Sequence, residues 1–229
     1  IALIGKSTAK YISLLIDIWN SGDCAVLIDW QAPFRTAMEM MCEAGVRKCY
    51  VQADLWVECT FNEFYEIEIL RFSIDNEATF VLSECLYNKF CADYSRSEAV
   101  IIYSSDDCMY TLKQLSHSST LTGELLVALK SRTKLVITTS AVPPRYILTT
   151  VRQYHVSILY LNPTLLSLVC GEVRRNTYDV SSLRRIYVSG AILNDKVYKN
   201  AQSILRGISV FNVYGLSEAA PRVTAQTLE

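Results

Sequence analysis

Short apolar runs alternate along this chain with segments whose apolar residues recur every three or four positions, and this alternation constrains the fold more than any other feature. Ser7 is the predicted N-cap of the first helical segment, Gly22 ends it, and Pro33 begins the second. The order strand, helix, strand, helix, strand predicts parallel pairing through right-handed crossovers. The strands predicted in this first part are IALIG (1–5), CAVLID (24–29) and KCYV (48–51).

The second half of the chain repeats this style, so the whole sequence predicts an α/β fold with parallel sheets. Helices are predicted near 123–130, from Pro144 to Tyr154, from Pro163 onward and over 194–205. Residues 52–98 give no clear pattern, except that FNEFYEIEIL (61–70) alternates and favours a half-exposed strand. The predicted strands are AVIIY (99–103), KLVIT (134–138), VSILYL (156–161), RIYVSG (185–190) and ISVFNVYG (208–215).

Composition excludes several function classes. With 229 residues, of which 51% are hydrophobic, the chain can bury a substantial core as one large domain or two small ones. A formal net charge of -1 gives no basic footprint for nucleic acid, and no apolar run reaches the ~20 residues of a membrane span. The eight cysteines are scattered without a C-x-x-C pair, which favours buried thiols in a reduced, cytoplasmic protein.

Three predicted strands end on small or polar residues. Parallel α/β sheets bind ligands at the carboxyl ends of their strands. The candidate ends are Ser104-Ser105, Ser189-Gly190-Ala191 and Tyr214-Gly215-Leu216-Ser217-Glu218.

The last of these ends has the residue types that a nucleotide with its metal requires. Tyr214 offers a flat ring for a heterocycle, and Gly215 permits close approach of the backbone. Ser217 can donate to a phosphate oxygen, and Glu218 offers hard oxygen ligands for Mg²⁺. The alternative is that Tyr214 belongs to the core and Glu218 caps the next turn.

The segment VYGLSEA (213–219) resembles the Y-G-[LP]-[ST]-E motif of adenylate-forming enzymes. That family contains acyl- and aryl-CoA ligases, luciferases and the adenylation domains of nonribosomal peptide synthetases. Three further segments resemble the family in family order, so the similarity covers most of the chain. They are YISLLIDIWNSGDCAVLIDWQAPF (11–34), YHVSILYLNPTLLSLV (154–169) and LRRIYVSGAILND (183–195).

The resemblance implies the layered α/β large domain of these enzymes and their reaction. A carboxylic acid attacks the α-phosphate of ATP, with Mg²⁺ present, to give an acyl-adenylate and pyrophosphate. The acyl group then passes to a thiol of CoA or of a phosphopantetheine carrier, so an acyl carrier protein is a candidate partner. By the same resemblance, Tyr214 stacks on adenine, Gly215 and Asn212 contact the nucleotide, Ser217 contacts phosphate and Glu218 ligates Mg²⁺.

The remaining implied site residues are Ser104, Ser105, Ser189, Gly190 and Ala191 for the nucleotide and acyl pockets, with His117 beside the substrate carboxylate. The alternative for His117 is a core histidine. Amino-acid-activating members usually carry an Asp next to this position, whereas here Ser118, Ser119 and Thr120 follow. The resemblance therefore implies a fatty or aromatic acid.

One expected segment is missing. Family members carry a Ser/Thr/Gly-rich loop ending in Lys after a strand like AVIIY, and its backbone cradles phosphates. Here Asp106 and Asp107 follow Ser105, and residues 106–129 resemble a later family segment, a strand leading to a pocket histidine and a helix. The phosphate loop has either been deleted or been omitted as a mobile loop; well-formed flanking strands favour omission.

These observations predict an incomplete N-terminal adenylation domain, inactive alone, with sheet regions at 1–105 and 106–229 and no counterpart of the family's lid domain. Two other interpretations stay open. In one, the chain is a catalytically silent homologue that serves as a binding or scaffold module. In the other, it is a small-molecule-binding α/β domain that takes no nucleotide.

Overall fold

A computed structural model describes residues 1–56, 67–74, 78–90, 106–138, 140–217 and 220–227. The chain divides into two compact units, Ile1–Ala99 with Gln114–Ser116, and Val100–Lys113 with His117–Glu229. The predicted strand 99–103 lies outside the described residues, as do residues 61–66 of the predicted half-exposed strand. Among the described residues, no helix has the length and hydropathy needed to cross a membrane.

The first unit contains a four-stranded sheet in the order β2-β1-β3-β4. All of its pairings are parallel, which confirms the predicted strand–helix–strand arrangement. Buried apolar residues of β1 and α1 line the core, and Gly22 after α1 has φ +77°. The elements are β1 (Ala2–Ile4), α1 (Ala9–Asn20), β2 (Val26–Ile28), α2 (Phe34–Glu43), β3 (Lys48–Gln52), β4 (Glu68–Phe72), β5 (Thr79–Val81) and α3 (Glu84–Lys89).

The predicted N-cap of α1 is wrong by one residue. Thr8, and not Ser7, accepts the hydrogen bond from the backbone N–H of Tyr11. The Ser7 hydroxyl instead accepts from the backbone N–H of Leu115 at 2.8 Å and donates to Gln114 at 3.0 Å. Both side chains suit a cap, and the long-range partners of Ser7 decide between them.

The second unit contains strands in the order β11-β10-β9-β8-β6-β7. The pairings are parallel except for β10 with β11, which is antiparallel. A π-helical turn, Leu121–Leu125, continues without a break from α4 into α5. The other elements are β6 (Cys108–Thr111), α4 (Ser118–Thr120), α5 (Leu126–Ser131), β7 (Lys134–Thr138), α6 (Pro144–Tyr154), β8 (Ile158–Leu161), α7 (Pro163–Arg175), β9 (Arg185–Val188), α8 (Asp195–Ile204), β10 (Ser209–Leu216) and β11 (Ala220–Thr227).

Local sequence explains the ends of these helices. Pro144 and Pro163 begin α6 and α7, where the missing N–H of proline costs nothing. Asn162 and Asn194 cap α7 and α8 by accepting backbone N–H bonds at 2.8 and 2.9 Å. Strand β11 was not predicted, because its sequence APRVTAQT has no apolar run and its described side chains are largely exposed.

The cysteine prediction is half wrong. All six described cysteines are free thiols, but only three of them are buried, namely Cys49, Cys108 and Cys170. The other three lie on exposed positions of helices or loops, where no packing requires them to face inward, and they are Cys24, Cys42 and Cys85.

A buried carboxylate anchors the start of β6. Asp107, whose side chain is 3% exposed, accepts hydrogen bonds from Ser157 at 2.8 Å and from Arg184 at 2.6 Å. Arg185 lies 3.7 Å from its other oxygen. Asp107 therefore joins β6 to the segments that lead into β8 and β9.

We expect Asp107→Ala to lower the free energy of unfolding by about 2–4 kcal/mol, because it leaves two arginines and a buried hydroxyl without their acceptor. Urea denaturation measures this loss. Asp106→Ala is the matched control, because Asp106 is exposed, and it should change stability by less than about 0.5 kcal/mol. Equal effects of the two variants would contradict the anchoring role.

Candidate functional site

The turn after β9 lies at the carboxyl end of a central strand of the second unit. The backbone N–H of Ser189 donates to Leu161 at 3.0 Å, which aligns this turn with the end of the neighbouring strand β8. Gly190 has φ +90°, a conformation that favours glycine, and Ala191 is exposed. The three residues predicted for the adenine and acyl pockets thus form an accessible turn at this edge of the sheet.

The adjacent strand β10 carries the tyrosine–glycine pair. Asn212 pairs with Val188 of β9 on one side and with Gln226 of β11 on the other. The pairing with β11 shifts register between Tyr214 and Leu216, so Gly215 lies in an irregular, bulge-like position. Tyr214 is 57% exposed, which rules out its alternative assignment to the core.

The structure brings the start of α4 to the end of this motif. The hydroxyl of Ser118 lies 3.1 Å from the hydroxyl of Ser217. His117, one residue earlier, is exposed, and its carbonyl accepts from the backbone N–H groups of Thr120 and Leu121 at 3.0 Å. The alternative of a core histidine is therefore wrong. The backbone at His117 is held beside the residue predicted to contact phosphate.

Three predicted site residues lie outside the described residues. They are Ser104, Ser105 and the predicted metal ligand Glu218. Within the described ranges, no group of three or more His, Cys, Asp and Glu side chains could hold a metal ion. The assignment of Glu218 to Mg²⁺ therefore stays a prediction, based on the preference of this cation for oxygen ligands.

The sequence analysis did not predict a cluster of charged side chains, Lys113, Glu124 and Arg222, next to the turn after β9. The ammonium of Lys113, two residues after β6, donates to the Ser189 hydroxyl at 2.5 Å. Glu124, in the π-helical turn, is 1% exposed, and its carboxylate lies 4.0 Å from the guanidinium of Arg222 on β11. The cluster therefore joins the ends of β6 and β9 to the π-helical turn.

Burial shifts the pKa values of two members of this cluster, Glu124 and Lys113. Burial raises the pKa of the Glu124 carboxyl, against the opposing effects of Lys113, a hydrogen bond from Thr111 and Arg222. Burial likewise lowers the pKa of the Lys113 ammonium, with Glu124 opposing and Arg222 adding to the shift. Perturbed groups that converge at strand ends are typical of functional sites.

An aromatic row runs beside the cluster. Tyr187 stacks on Tyr160 with ring centroids 5.4 Å apart and on Phe211 at 5.0 Å. The guanidinium of Arg222 lies 5.0 Å from the centroid of Tyr160 and 5.4 Å from that of Tyr187. A Cβ at Gly123 would lie 2.5 Å from the Arg222 side chain, so the guanidinium passes directly over the backbone of the π-helical turn at this glycine.

The sequence does contain a signal for this cluster. Glu124 is an acidic residue within an otherwise apolar helical segment, LTGELLVAL (121–129), and such a position is seldom buried without partners. Lys113 follows a buried strand at the edge where ligands bind. Arg222 gave no signal, because β11 itself was not predicted.

Comparisons with known proteins agree with this arrangement. Residues 83–229 match the family described as AMP-binding enzyme. No match to a curated protein was found. Because the family match covers more than half of the chain, the chain belongs to the AMP-binding, adenylate-forming enzymes.

Solved structures show the same fold. The unliganded O-succinylbenzoate coenzyme A synthetase MenE of Bacillus subtilis matches with TM-score 0.76 and 12% identity, over 99% of this chain and 53% of that one. The AMPPNP-bound nonribosomal peptide synthetase FmoA3 matches with TM-score 0.74 and 17% identity, over 99% of this chain and 27% of that one. Klebsiella oxytoca NpsA, in complex with 3-hydroxyanthranilyl-AMSN, matches with TM-score 0.73 and 16% identity, over 100% of this chain and 49% of that one.

These matches confirm the predicted α/β large-domain fold with parallel sheets. The chain spans about half of the MenE and NpsA chains and about a quarter of FmoA3. At such low identities the likeness concerns the fold alone, so substrate and acceptor are matters for proposal.

The buried carboxyl predicts a pH dependence of stability. The pKa of Glu124 is raised above its ordinary value of 4.5 in the folded protein. Its contribution to stability is therefore fully present below pH 4.5 and is lost as the pH rises through the raised pKa. Because glutamine does not titrate, Glu124→Gln should gain stability relative to the wild type across this rise. Urea unfolding at several pH values measures the difference.

Glu172 provides a control of opposite sign. A hydrogen bond from Tyr178 is the main cause that lowers the pKa of this partly buried carboxyl. Its contribution is present above the ordinary pKa and is lost as the pH falls, so Glu172→Gln should lose stability relative to the wild type as the pH rises. A pH-independent difference for Glu124→Gln would contradict the assigned ionisation.

Proposed function

We propose that the protein containing this chain activates a carboxylic acid with ATP to an acyl-adenylate and then transfers the acyl group to a thiol of CoA or of a phosphopantetheine carrier. The observation that carries this proposal is the exposed ring of Tyr214 on the strand next to the accessible Ser189-Gly190-Ala191 turn, in a chain of the AMP-binding family. AMP binding is typical of this family, and its substrates are carboxylic acids.

The geometry supports a role for each described residue. Tyr214 presents a ring face on which adenine stacks, and the bulge at Gly215 gives the nucleotide access to the backbone. Asn212, held between β9 and β11, offers a side-chain amide to the base or its neighbouring groups. Gly190 keeps the turn opposite the ring free of side chain.

Activation brings two anions together, a carboxylate and a phosphate, so donors and cations must offset their charge. Ser217 offers its hydroxyl to the phosphate, and the exposed His117 lies next in sequence to the serine that Ser217 contacts. Glu218 would hold Mg²⁺, which supplies Lewis-acid stabilisation of phosphate charge. Ser104 and Ser105 are proposed to contact the nucleotide from the end of the strand at 99–103.

The acid is proposed to be fatty or aromatic. Ser118, Ser119 and Thr120 follow His117 without the Asp that would grip an amino group. Two structural relatives carry aryl names, an O-succinylbenzoate coenzyme A synthetase and a complex with 3-hydroxyanthranilyl-AMSN. The row of Tyr160, Tyr187 and Phe211 favours the aromatic alternative, because flat rings pack well on flat rings.

A silent homologue is the second candidate, and the short link between the strand predicted from sequence at 99–103 and β6 favours it. Cys108 begins β6 only two residues after Asp106, which leaves no room in this sequence for a phosphate loop. The intact mass of the native protein separates the two: a mass near 25.9 kDa means that the loop is absent. A much larger mass, with acid-dependent pyrophosphate exchange, supports the enzyme.

We also retain the two sheet regions 1–105 and 106–229 as a proposed division.

We expect Tyr214→Ala to weaken ATP and AMP binding about fivefold or more, equivalent to roughly 1 kcal/mol of lost aromatic contact. Calorimetric titration of the full-length protein measures it. Tyr178→Ala is the control, because this tyrosine lies in the loop after α7 and pairs with Glu172. Unchanged nucleotide affinity in Tyr214→Ala would contradict the stacking role.

Glu218→Ala should abolish acid-dependent pyrophosphate exchange, because it removes the proposed Mg²⁺ ligand, and should leave the circular dichroism spectrum unchanged. Exchange that persists at ordinary Mg²⁺ concentrations would refute this role. Glu39→Gln, on the exposed face of α2, should leave exchange intact.

A further inference from the structure

Two buried polar atoms, one in the π-helical turn and one directly before it, have no hydrogen-bond partner among the described residues. They are the hydroxyl of Thr120, which is 0% exposed, and Oε2 of Glu124, which is 1% exposed as a residue. The residues are four positions apart, so they lie on the same side of the helical segment. Buried polar atoms are seldom left without partners in folded proteins, and a pair of them on one side indicates a missing group.

The cluster is connected to the proposed acid site. Lys113 is charge-coupled to Glu124 and donates to Ser189, in the turn to which we assign the adenine and acyl pockets. Lys113 and Ser189 are both partly exposed, so the charged cluster extends to the surface at the sheet edge. Thr111, at the end of β6, hydrogen-bonds to the Glu124 carboxyl from the same edge.

We propose that Thr120 and Glu124 form a subsite that recognises a hydroxyl or amino substituent on an aromatic acid substrate. The inference rests on the proposed function and names the class of acid that the site takes. A hydroxyl or aryl amine supplies a donor to a carboxylate oxygen and can also pair with the threonine hydroxyl. A hydrogen or methyl group at this place would leave both buried atoms unsatisfied.

The charges around the subsite further restrict which substituents it can bind. An alkyl ammonium group would enter beside two cations, Lys113 and Arg222, which act on Glu124 from the described part of the chain. A neutral hydroxyl or aryl amine meets no such repulsion. The parallel rings of Tyr160 and Tyr187, which Arg222 covers, provide a flat boundary for an aryl group.

The π-helical form of the segment supports a ligand-binding role. Leu121–Leu125 inserts a wider turn between α4 and α5, and such turns occur frequently at functional sites. The turn begins directly after Thr120 and contains Glu124. At Gly123 the Arg222 guanidinium packs closely on this turn, where a Cβ would displace it.

Binding of matched acids tests the proposal. The full-length protein is titrated by calorimetry, with and without a non-hydrolysable ATP analogue, with benzoate, the three hydroxybenzoates and the three aminobenzoates. We expect at least one substituted acid to bind about tenfold or more tightly than benzoate, because sites built to hydrogen-bond a substituent reject the analogue that lacks it.

Variants test which residues provide the preference. Thr120→Val and Glu124→Gln should each reduce the ratio of substituted-acid to benzoate affinity severalfold, whereas a purely structural role would not change that ratio. Thr122→Val is the matched control, because Thr122 is exposed on the same turn and its hydroxyl bonds to the Ser118 carbonyl. Its ratio should equal that of the wild type.

The outcomes separate this inference from the proposed function. Three results would overturn the inference. The first is equal affinity for benzoate and every substituted acid, and the second is no binding of any acid. The third is the same ratio of substituted-acid to benzoate affinity in Thr120→Val, Glu124→Gln and the wild type. Pyrophosphate exchange driven equally well by unsubstituted benzoate overturns it as well and leaves the proposed activation standing. Substituent-selective binding without exchange for any acid supports the subsite and removes the proposed activation.

Discussion

Parallel pairing between strands that are distant in sequence determines where every candidate site residue lies. In the second unit, β6, β8, β9 and β10 point the same way, so their carboxyl ends meet at one edge. The chain returns between them through helices on the faces of the sheet, as parallel connections require. Lys113, Ser189 and Tyr214 are far apart in sequence, yet each follows or ends one of these strands. Without the shared direction, no binding site would exist.

The second constraint is the cost of burying charge at that edge. Glu124 is held out of water by the helical segment above the sheet; its carboxylate lies 4.0 Å from the guanidinium of Arg222 on β11, and the charge of Lys113, in the loop after β6, also acts on it. Burial of an ion pair seldom adds stability, so its presence needs another reason. Asp107 is a contrasting case: its carboxylate has close partners at the start of β6, and its function is to hold strands together.

Much of the fold could be predicted because it depends on local patterns. The apolar run at 134–138 and the proline at 144 give β7 and α6 their observed bounds. The predicted N-cap at Ser7 was wrong, because the Ser7 hydroxyl accepts instead from a distant backbone N–H, that of Leu115. The exposed strand β11 was not predicted, because an edge strand that buries few side chains has no apolar pattern in its sequence.

The site was predictable where a motif is continuous in sequence, as at Tyr214-Gly215, and was missed where it is assembled from separate elements. The contact between Ser118 and Ser217 joins residues that no local pattern connects. Glu124 gave a sign of its own, a carboxylate within an apolar run, but its partners depend on tertiary packing. Sequence patterns thus identified Tyr214-Gly215, whose proposed role is in nucleotide binding, but not the contacts of Glu124, whose proposed role is in acid binding.

Strand β11 lies at the edge of the sheet order in the second unit, with β10 as its neighbour, and it carries Arg222 to the acid side of the site. An edge strand tolerates exchange of side chains, because few of them support the interior. Arg222 is the exception, because its guanidinium is the cation beside the buried carboxylate of Glu124, and a replacement would leave that carboxylate without it. The exposed neighbours of Arg222 on β11 can therefore change at little cost to folding, whereas the charge of Arg222 is tied to that of Glu124.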